Sequence, residues 1–293
     1  MGKRFSKRRW RRPERMLLDA DAPVVRRKDL GASEPVAVES VLGRKTSRRA
    51  IQVLLVAFVV LGAVEGFIAG FLARIGWYVG PAVALYAVLY FVLARELGDG
   101  WLVRALRAKA ADTPRLDRLI ASEARTAGVA VPRLLISGAS APNAFSFALR
   151  RRWVVVTSPS IEEDELTLEG MFAHEIIHLR DGDASVVALY IVLAASPELV
   201  LRRAGAITLL SIPLWPAAFA LRLLRSVVFA DDREHRADVA AAMMTRYPPG
   251  MAAALASAGG GSSGLRSADP FWFVPRGADG AAARKRADLI AEM

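Results

Sequence analysis

Residues 51–73 run for 23 positions with only Gln52 and Glu65 strongly polar, and a stretch of that kind has few ways to fold. As an α-helix it measures about 34 Å, against about 30 Å for the hydrocarbon core of a bilayer. Inside that core each backbone N–H and C=O must be satisfied within the segment, so a spanning helix is the expected solution. A second run, residues 75–94, is bracketed by Arg74 and Arg95 and carries Trp77, Tyr78 and Tyr90 near its ends, where interfacial aromatic belts sit. The two runs predict a membrane hairpin. Gly62, Gly66 and Gly70 recur at four-residue spacing on one face of the first helix and would let its partner approach closely. Glu65, ionisable and near mid-span, is expected to face other helices rather than lipid.

The chain is 54% hydrophobic and 24% charged, so the two kinds of residue have to be segregated into blocks. Its net charge of +11 is concentrated at the start, where the first 50 residues hold 15 Lys or Arg against 6 Asp or Glu. That arm is expected to be disordered and, by the positive-inside rule, cytosolic, which makes membrane lipid its natural partner; no specific nucleic-acid partner is expected. A cleaved signal peptide fits poorly, because the first apolar run begins some fifty residues in and exceeds an h-region in length. With no cysteine in the chain, disulfide frameworks, thiolate nucleophiles and Cys-ligated metal sites are excluded together.

Two further apolar stretches, residues 184–201 and 204–221, are broken by Pro197 and Glu198 and by Pro213 and Pro216, so they either span, dip in and return, or form a buried helical pair. Between the apolar pairs, helical periodicity over residues 116–127 and β-rich runs at 133–137 and 153–157 indicate an α+β, mostly α, fold. The layout expected is a basic arm (1–50), a transmembrane hairpin (51–95), a first soluble segment (96–183), a second membrane hairpin (184–221), a second soluble segment (222–258), and a flexible linker with a short tail (259–293). No internal repeat is present.

The chemistry sits at residues 174–178. A helix capped by Asp164 or Thr167 and stopped at Gly182 places His174 and His178 one turn apart on the same side, where both imidazoles reach a single metal ion, with Glu175 flanking the open position. This is the His-Glu-x-x-His pattern of zinc peptidases, with Glu175 as catalytic base. A catalytic zinc takes a third protein ligand, here a carboxylate or His235. Glu234 is the stronger candidate, since Asp238 four residues on can orient a ligating imidazole; the alternative is a solvated charged stripe, Asp231 to Arg236.

Several separate blocks resemble the HtpX-type membrane zinc metallopeptidases, gluzincins related to the CaaX prenyl-protein endopeptidases. They are Pro142, Asn143, Ala144 and Phe145; residues 173–178 with Asp183; and Glu234, Ala237 and Asp238. The order of apolar helices matches as well. The resemblance implies a zincin-like metallopeptidase domain with integral membrane helices, one zinc ion held by His174, His178 and Glu234, and substrate pairing along an edge strand at residues 143–148, with Asn143 as a possible substrate contact; His235 is a possible oxyanion contact on its own chemistry. Departures are His235, where the family usually has an aromatic residue, and the missing His-Pro element near the C-terminus, which only Arg286 and Leu289 echo. The expected function is a multi-pass cell-membrane endopeptidase facing the cytoplasm and acting on unfolded or membrane proteins. Its rivals are a zinc-binding sensor or scaffold without turnover and a narrow processing peptidase.

Overall fold

The computed structural model describes residues 35–229, 232–260, 265–275 and 280–293, with side chains from Ser47 onward except those of Val227 and Gly280. Most of the expected basic arm and part of the expected flexible linker lie outside the described residues. Helix α1 (Pro35–Leu72) and helix α2 (Val79–Ala105) form an antiparallel hairpin. Three segments are long and apolar enough to cross a membrane, Ser47–Leu72, Val79–Ala105 and Ala206–Leu223, and most of each is left unburied by the rest of the protein. Val53, Val56, Val60, Val64, Phe67 and Phe71 recur every three or four residues as an exposed apolar face of α1. The glycine face packs on α2: a Cβ at Gly66 would lie 2.7 Å from Val79 O, so only glycine fits this crossing.

The chain then forms β1 (Lys109–Ala110), α3 (Pro114–Thr126), β2 (Arg133–Ser137), β3 (Ala144–Ala148) and β4 (Arg152–Thr157). The sheet order is β1-β2-β4-β3, with β2 and β4 parallel and β3 antiparallel to β4 at the edge. Strand alternation divides the interior in two. Leu135, Phe145, Phe147 and Val155 face a cluster shared with α1 and α2, whereas Leu134, Ala144, Val154 and Val156 face a second cluster under α3. Helix α4 (Glu165–Asp181) lies in that second cluster.

The two further apolar stretches turn out to be different objects. Helix α5 (Asp183–Ala194) is buried throughout most of its length against α1, α2 and β3, and at 12 residues it measures about 18 Å, too short to span. Helix α6 (Ser196–Leu201) follows. The chain then runs as a 3₁₀ segment, Ala206–Leu214, into α7 (Trp215–Leu223), α8 (Arg225–Val228), α9 (Arg233–Thr245), α10 (Pro248–Ser257) and α11 (Gly280–Ala291). Gly205 sits beside Trp101 and Arg104, Leu214 reaches Gly62, and Ala217 N donates to Glu65 Oε2 at 3.4 Å. Arg222 Nε then donates to Ala194 O at 2.7 Å, beside Val192, which itself packs on Gly98. The segment thus enters along α2, turns at the level of Gly62 and Glu65, and returns along the hairpin.

Asn143 joins the C-terminal segment to the sheet. Fully buried, it donates from Nδ2 to Gly259 O (2.8 Å) and Val274 O (2.7 Å) and accepts at Oδ1 from Ala144 N (2.9 Å) and Val274 N (3.1 Å). Asn143 was a possible substrate contact from the sequence; its amide is instead committed within the chain, because residues 265–275 fold back over β3. Replacing Asn143 by Ala strands the buried N–H and C=O of Val274, and we expect a loss of stability on the order of 3 kcal/mol with KM unchanged. Thermal unfolding in detergent alongside kinetics checks this; a raised KM at parental Tm would mean that Asn143 serves substrate.

Glu123 on α3 is buried against α4, and burial, reinforced by the charge of Glu169, pushes its carboxyl up to about 7. A carboxyl whose pKa is raised on folding favours the folded state most fully below its unfolded pKa, near 4.5, and that contribution disappears as pH climbs through 7. Parental Tm should therefore decline between those pH values more than that of Glu123→Gln, with the variant equal or higher at pH 8. Parallel melting curves for the two proteins check the expectation.

Candidate metal centre

Helix α4 begins where the sequence says it should. Asp164 Oδ1 accepts from Leu166 N and Thr167 N at 3.0 Å each, and Gly182, in the left-handed region at φ 82°, ends the helix. His174, Glu175 and His178 lie on this helix and are almost completely buried. The Nε2 atoms of the two histidines approach to 3.0 Å, and Glu234 Oε2, from the first turn of α9, lies 3.3 Å from His174 Nε2 and 3.8 Å from His178 Nε2. Among the described residues these three form the single group with metal-capable atoms converging on one point.

The opposite ring nitrogens are held by carboxylates. His174 Nδ1 is 2.9 Å from Asp238 Oδ1, and His178 Nδ1 is 2.8 Å from Asp183 Oδ2. A carboxylate beside Nδ1 favours the proton on that nitrogen and leaves Nε2 its lone pair, an arrangement in which both imidazoles present their ligating atoms to the same point. Glu234 Oε2 is buried without a hydrogen-bond donor. Three lone-pair atoms packed this closely call for a cation between them, and two imidazoles with one carboxylate are a donor set that suits a transition metal.

Two arginines complete the charge pattern. Arg233 Nε donates to Asp183 Oδ2 at 2.7 Å, and its Nη1 pairs with Glu234 Oε1. Arg286 on α11 grips Asp238 with two bonds of 2.7 Å, Nε to Oδ2 and Nη2 to Oδ1, while its Nη1 donates to Phe273 O at 2.9 Å. Burial works against ionisation of Glu234, yet the Arg233 charge and the two histidines hold its carboxyl well below the usual range. Asp238 is likewise held down, against its burial, by His174 and Arg286. Burial and the Arg233 charge oppose protonation of His178, but Asp183 and Glu234 outweigh both and raise it. The cage of carboxylates thus favours positive charge where the Nε2 atoms meet.

The structure brings His174, Glu175, His178, Glu234 and Asp238 together. His235, one residue past Glu234, is exposed on α9 and is not part of the buried cluster. Sequence reasoning missed the roles of four residues. Asp183 returns to His178 because Gly182 reverses the chain between α4 and α5; a left-handed glycine followed by an acid was the available signal. Arg233 read as one member of a charged stripe, and Arg286 as a faint echo. Phe273, whose ring meets His174 edge-on at 4.8 Å between centroids, gave no signal at all, since its placement depends on the fold-back held by Asn143.

Residues 110–272 match the model of peptidase family M48. A protein named as a protease HtpX homolog from Tropheryma whipplei (strain TW08/27) is 29% identical over 263 residues, covering 79% of this chain and 89% of that protein. Another from Dictyoglomus thermophilum is 30% identical over 164 residues, covering 48% and 53%, and one from Bacteroides fragilis is 26% identical over 205 residues, covering 62% and 63%. No solved structure matches the chain. The family match takes in α4, the edge strand and the third member of the histidine and glutamate cluster, so the residues that build the buried centre are also the ones that place the chain: it belongs to peptidase family M48, as an HtpX-type metallopeptidase.

Proposed function

We propose that this membrane peptidase is a zinc-dependent endopeptidase that cleaves unfolded or membrane proteins on the cytosolic side of the cell membrane. The observation that carries the reading is the convergence of His174 Nε2, His178 Nε2 and Glu234 Oε2, with each Nδ1 tied to its own carboxylate. One zinc ion held by these three residues would supply Lewis acidity, making water more acidic and a peptide carbonyl more electrophilic. Glu175, next to His174 and 1% exposed, takes the proton from the attacking water and passes it to the departing amine nitrogen. Arg233 and Arg286 both lie close enough to feel the Glu175 charge. Asp183 and Asp238 orient the histidines.

The domain layout follows from the same reading. The α1 and α2 hairpin anchors the protein, the dipping segment of residues 206–223 packs on it, and the soluble parts on either side share one face. The basic N-terminal arm puts that face in the cytosol. An extended substrate adds its backbone to β3 beyond Ala144, whose carbonyl already accepts from Phe273 N at 2.9 Å. Backbone pairing of this kind selects unfolded or frayed chains.

Removing the base and removing a ligand should fail differently. Glu175→Gln should keep near-stoichiometric zinc and parental fold while turnover of a casein-like unfolded substrate falls by roughly two to four orders of magnitude. Glu234→Ala should lose turnover and release its zinc first on dialysis against a mild chelator. Asp238→Asn should weaken zinc binding by about 10- to 100-fold. Metal analysis and cleavage assays on the same preparations decide the matter. Zinc without turnover in the parent would mean a sensor or scaffold, and cleavage confined to one peptide class would mean a processing enzyme.

A further inference from the structure

The turn between β3 and β4 is fastened to the end of α2 by one carboxylate. Asp99 accepts Leu149 N at Oδ1 (3.0 Å) and Arg150 N and Arg151 N at Oδ2 (3.0 and 2.9 Å). Its capacity is spent on backbone, so it does little to offset the arginine side chains it brings together. Two clefts flank the turn. The first, about 640 Å³, runs to the C-terminal end of α4; five of its lining residues are arginines, Arg133, Arg150, Arg151, Arg152 and Arg180, and none is acidic. The second, about 910 Å³, runs between α2 and residues 205–207 and is walled by Trp101, Trp153 and Ile207. Arg150 and Arg151 line both.

Most of these charges have some neighbour. Arg180 pairs with Asp181, Arg150 with the exposed Glu96, and Arg133 lies over the Trp153 ring. Arg151 and Arg152 have no acidic partner within 4 Å among the described residues. Like charges crowded on partly apolar walls raise each other's energy and attract an anion. The height of the clefts says which anion is at hand. Ser47, the first residue of the apolar part of α1, donates to Asp181 O at 2.9 Å, and Gly205 at the mouth of the dipping segment borders the second cleft. The clefts therefore open where the apolar faces of α1 and α2 give way to charge, the level of lipid phosphates. Tryptophan and isoleucine on one wall with arginine on the other is the arrangement that holds an amphiphile at that level. Trp153 Nε1, buried without an acceptor among the described residues, leaves one more donor in this region.

We propose that these adjoining clefts bind the phosphate headgroup of an anionic phospholipid, with Arg151 and Arg152 supplying the charge and Trp101, Trp153 and Ile207 facing its glycerol and acyl portion. The site is separate from the metal centre and independent of peptidase activity. It ties the β3–β4 turn, and with it the edge strand, to the composition of the surrounding membrane.

The test uses the full chain in a non-ionic detergent and compares dioctanoyl phosphatidylglycerol, dioctanoyl phosphatidylcholine, inorganic phosphate and hexaglutamate as additives, read by thermal unfolding and by titration. Phosphatidylglycerol alone should raise Tm saturably. The double variant Arg151→Gln/Arg152→Gln should bind it about thirtyfold more weakly, as expected for two interfacial arginines. The control Arg118→Gln/Arg284→Gln removes two exposed charges from α3 and α11 and should bind like the parent. Zinc content should remain parental in both, which shows that they fold. Equal effects of the two lipids, or undiminished binding in the Arg151/Arg152 variant with the N-terminal arm intact, would overturn the proposal. An equal response to phosphate would make it a free-anion site, and a response to hexaglutamate in place of the lipid an acidic-peptide subsite; either would overturn it as well.

Discussion

The fold depends on getting two histidine nitrogens and a carboxylate oxygen to face one another inside a protein, an arrangement that is repulsive on its own. Each ligating group is therefore braced from behind: His174 by Asp238, His178 by Asp183, Asp238 by Arg286, and Asp183 with Glu234 by Arg233. These braces come from the start of α5, α9 and α11 and act on the histidines of α4, so four elements must be in place before the centre exists. A buried charge left without its partner costs several kcal/mol, which makes the network a strong constraint on how those elements pack. It also explains why α4 is buried on nearly all sides although it carries the chemistry: the helix is the hub, and the braces surround it.

What was legible in the sequence follows from how local each signal was. Helix α4 with its cap and left-handed stop, the strands at 133–137 and 152–157, and the glycine-faced hairpin all rest on interactions within one element or between neighbours, and residue patterns report those directly. The His174, Glu175 and His178 spacing is of the same kind. The pairing of Arg286 with Asp238, the Phe273 ring on His174 and the commitment of Asn143 join residues 48, 99 and 131 positions apart. No periodicity records a contact of that range, and so the hydrogen bonds that commit the Asn143 amide, a possible substrate contact from the sequence, were not legible there. The second apolar stretch was ambiguous for another reason: a helix buried by protein and one buried by lipid have the same composition, and only the packing of α5 against α1, α2 and β3 distinguishes them.

The dipping segment links the membrane part to the chemistry. Between His178 and Glu234 the chain passes through α5 and α6, goes down beside α2, turns where Ala217 N meets Glu65, and returns along α7 to reach Arg233. Closing the metal centre thus requires the turn to seat against α1. Glu65 suits that role, because its carboxylate accepts from the first turn of α7, where unpaired N–H groups and the positive end of the helix dipole both favour an anion. A charged residue near mid-span is costly when it faces lipid, and here it faces the one backbone that needs it.

The placement of the braces also limits how substrate can arrive. With Phe273 over His174 and the Ala144 end of β3 already paired, the C-terminal side of the cluster is closed by the chain's own fold-back. The open direction along the edge strand leads toward Ala148, and from there to the arginine-rich turn. A polypeptide emerging from the bilayer would meet β3 first at that end, as an extended strand with unpaired backbone groups. A compact domain offers no such strand and could not reach the buried nitrogens past the turn. On the proposed function, selectivity for unfolded or membrane-released chains would follow from which edge of the sheet is left free, with no dedicated recognition pocket required.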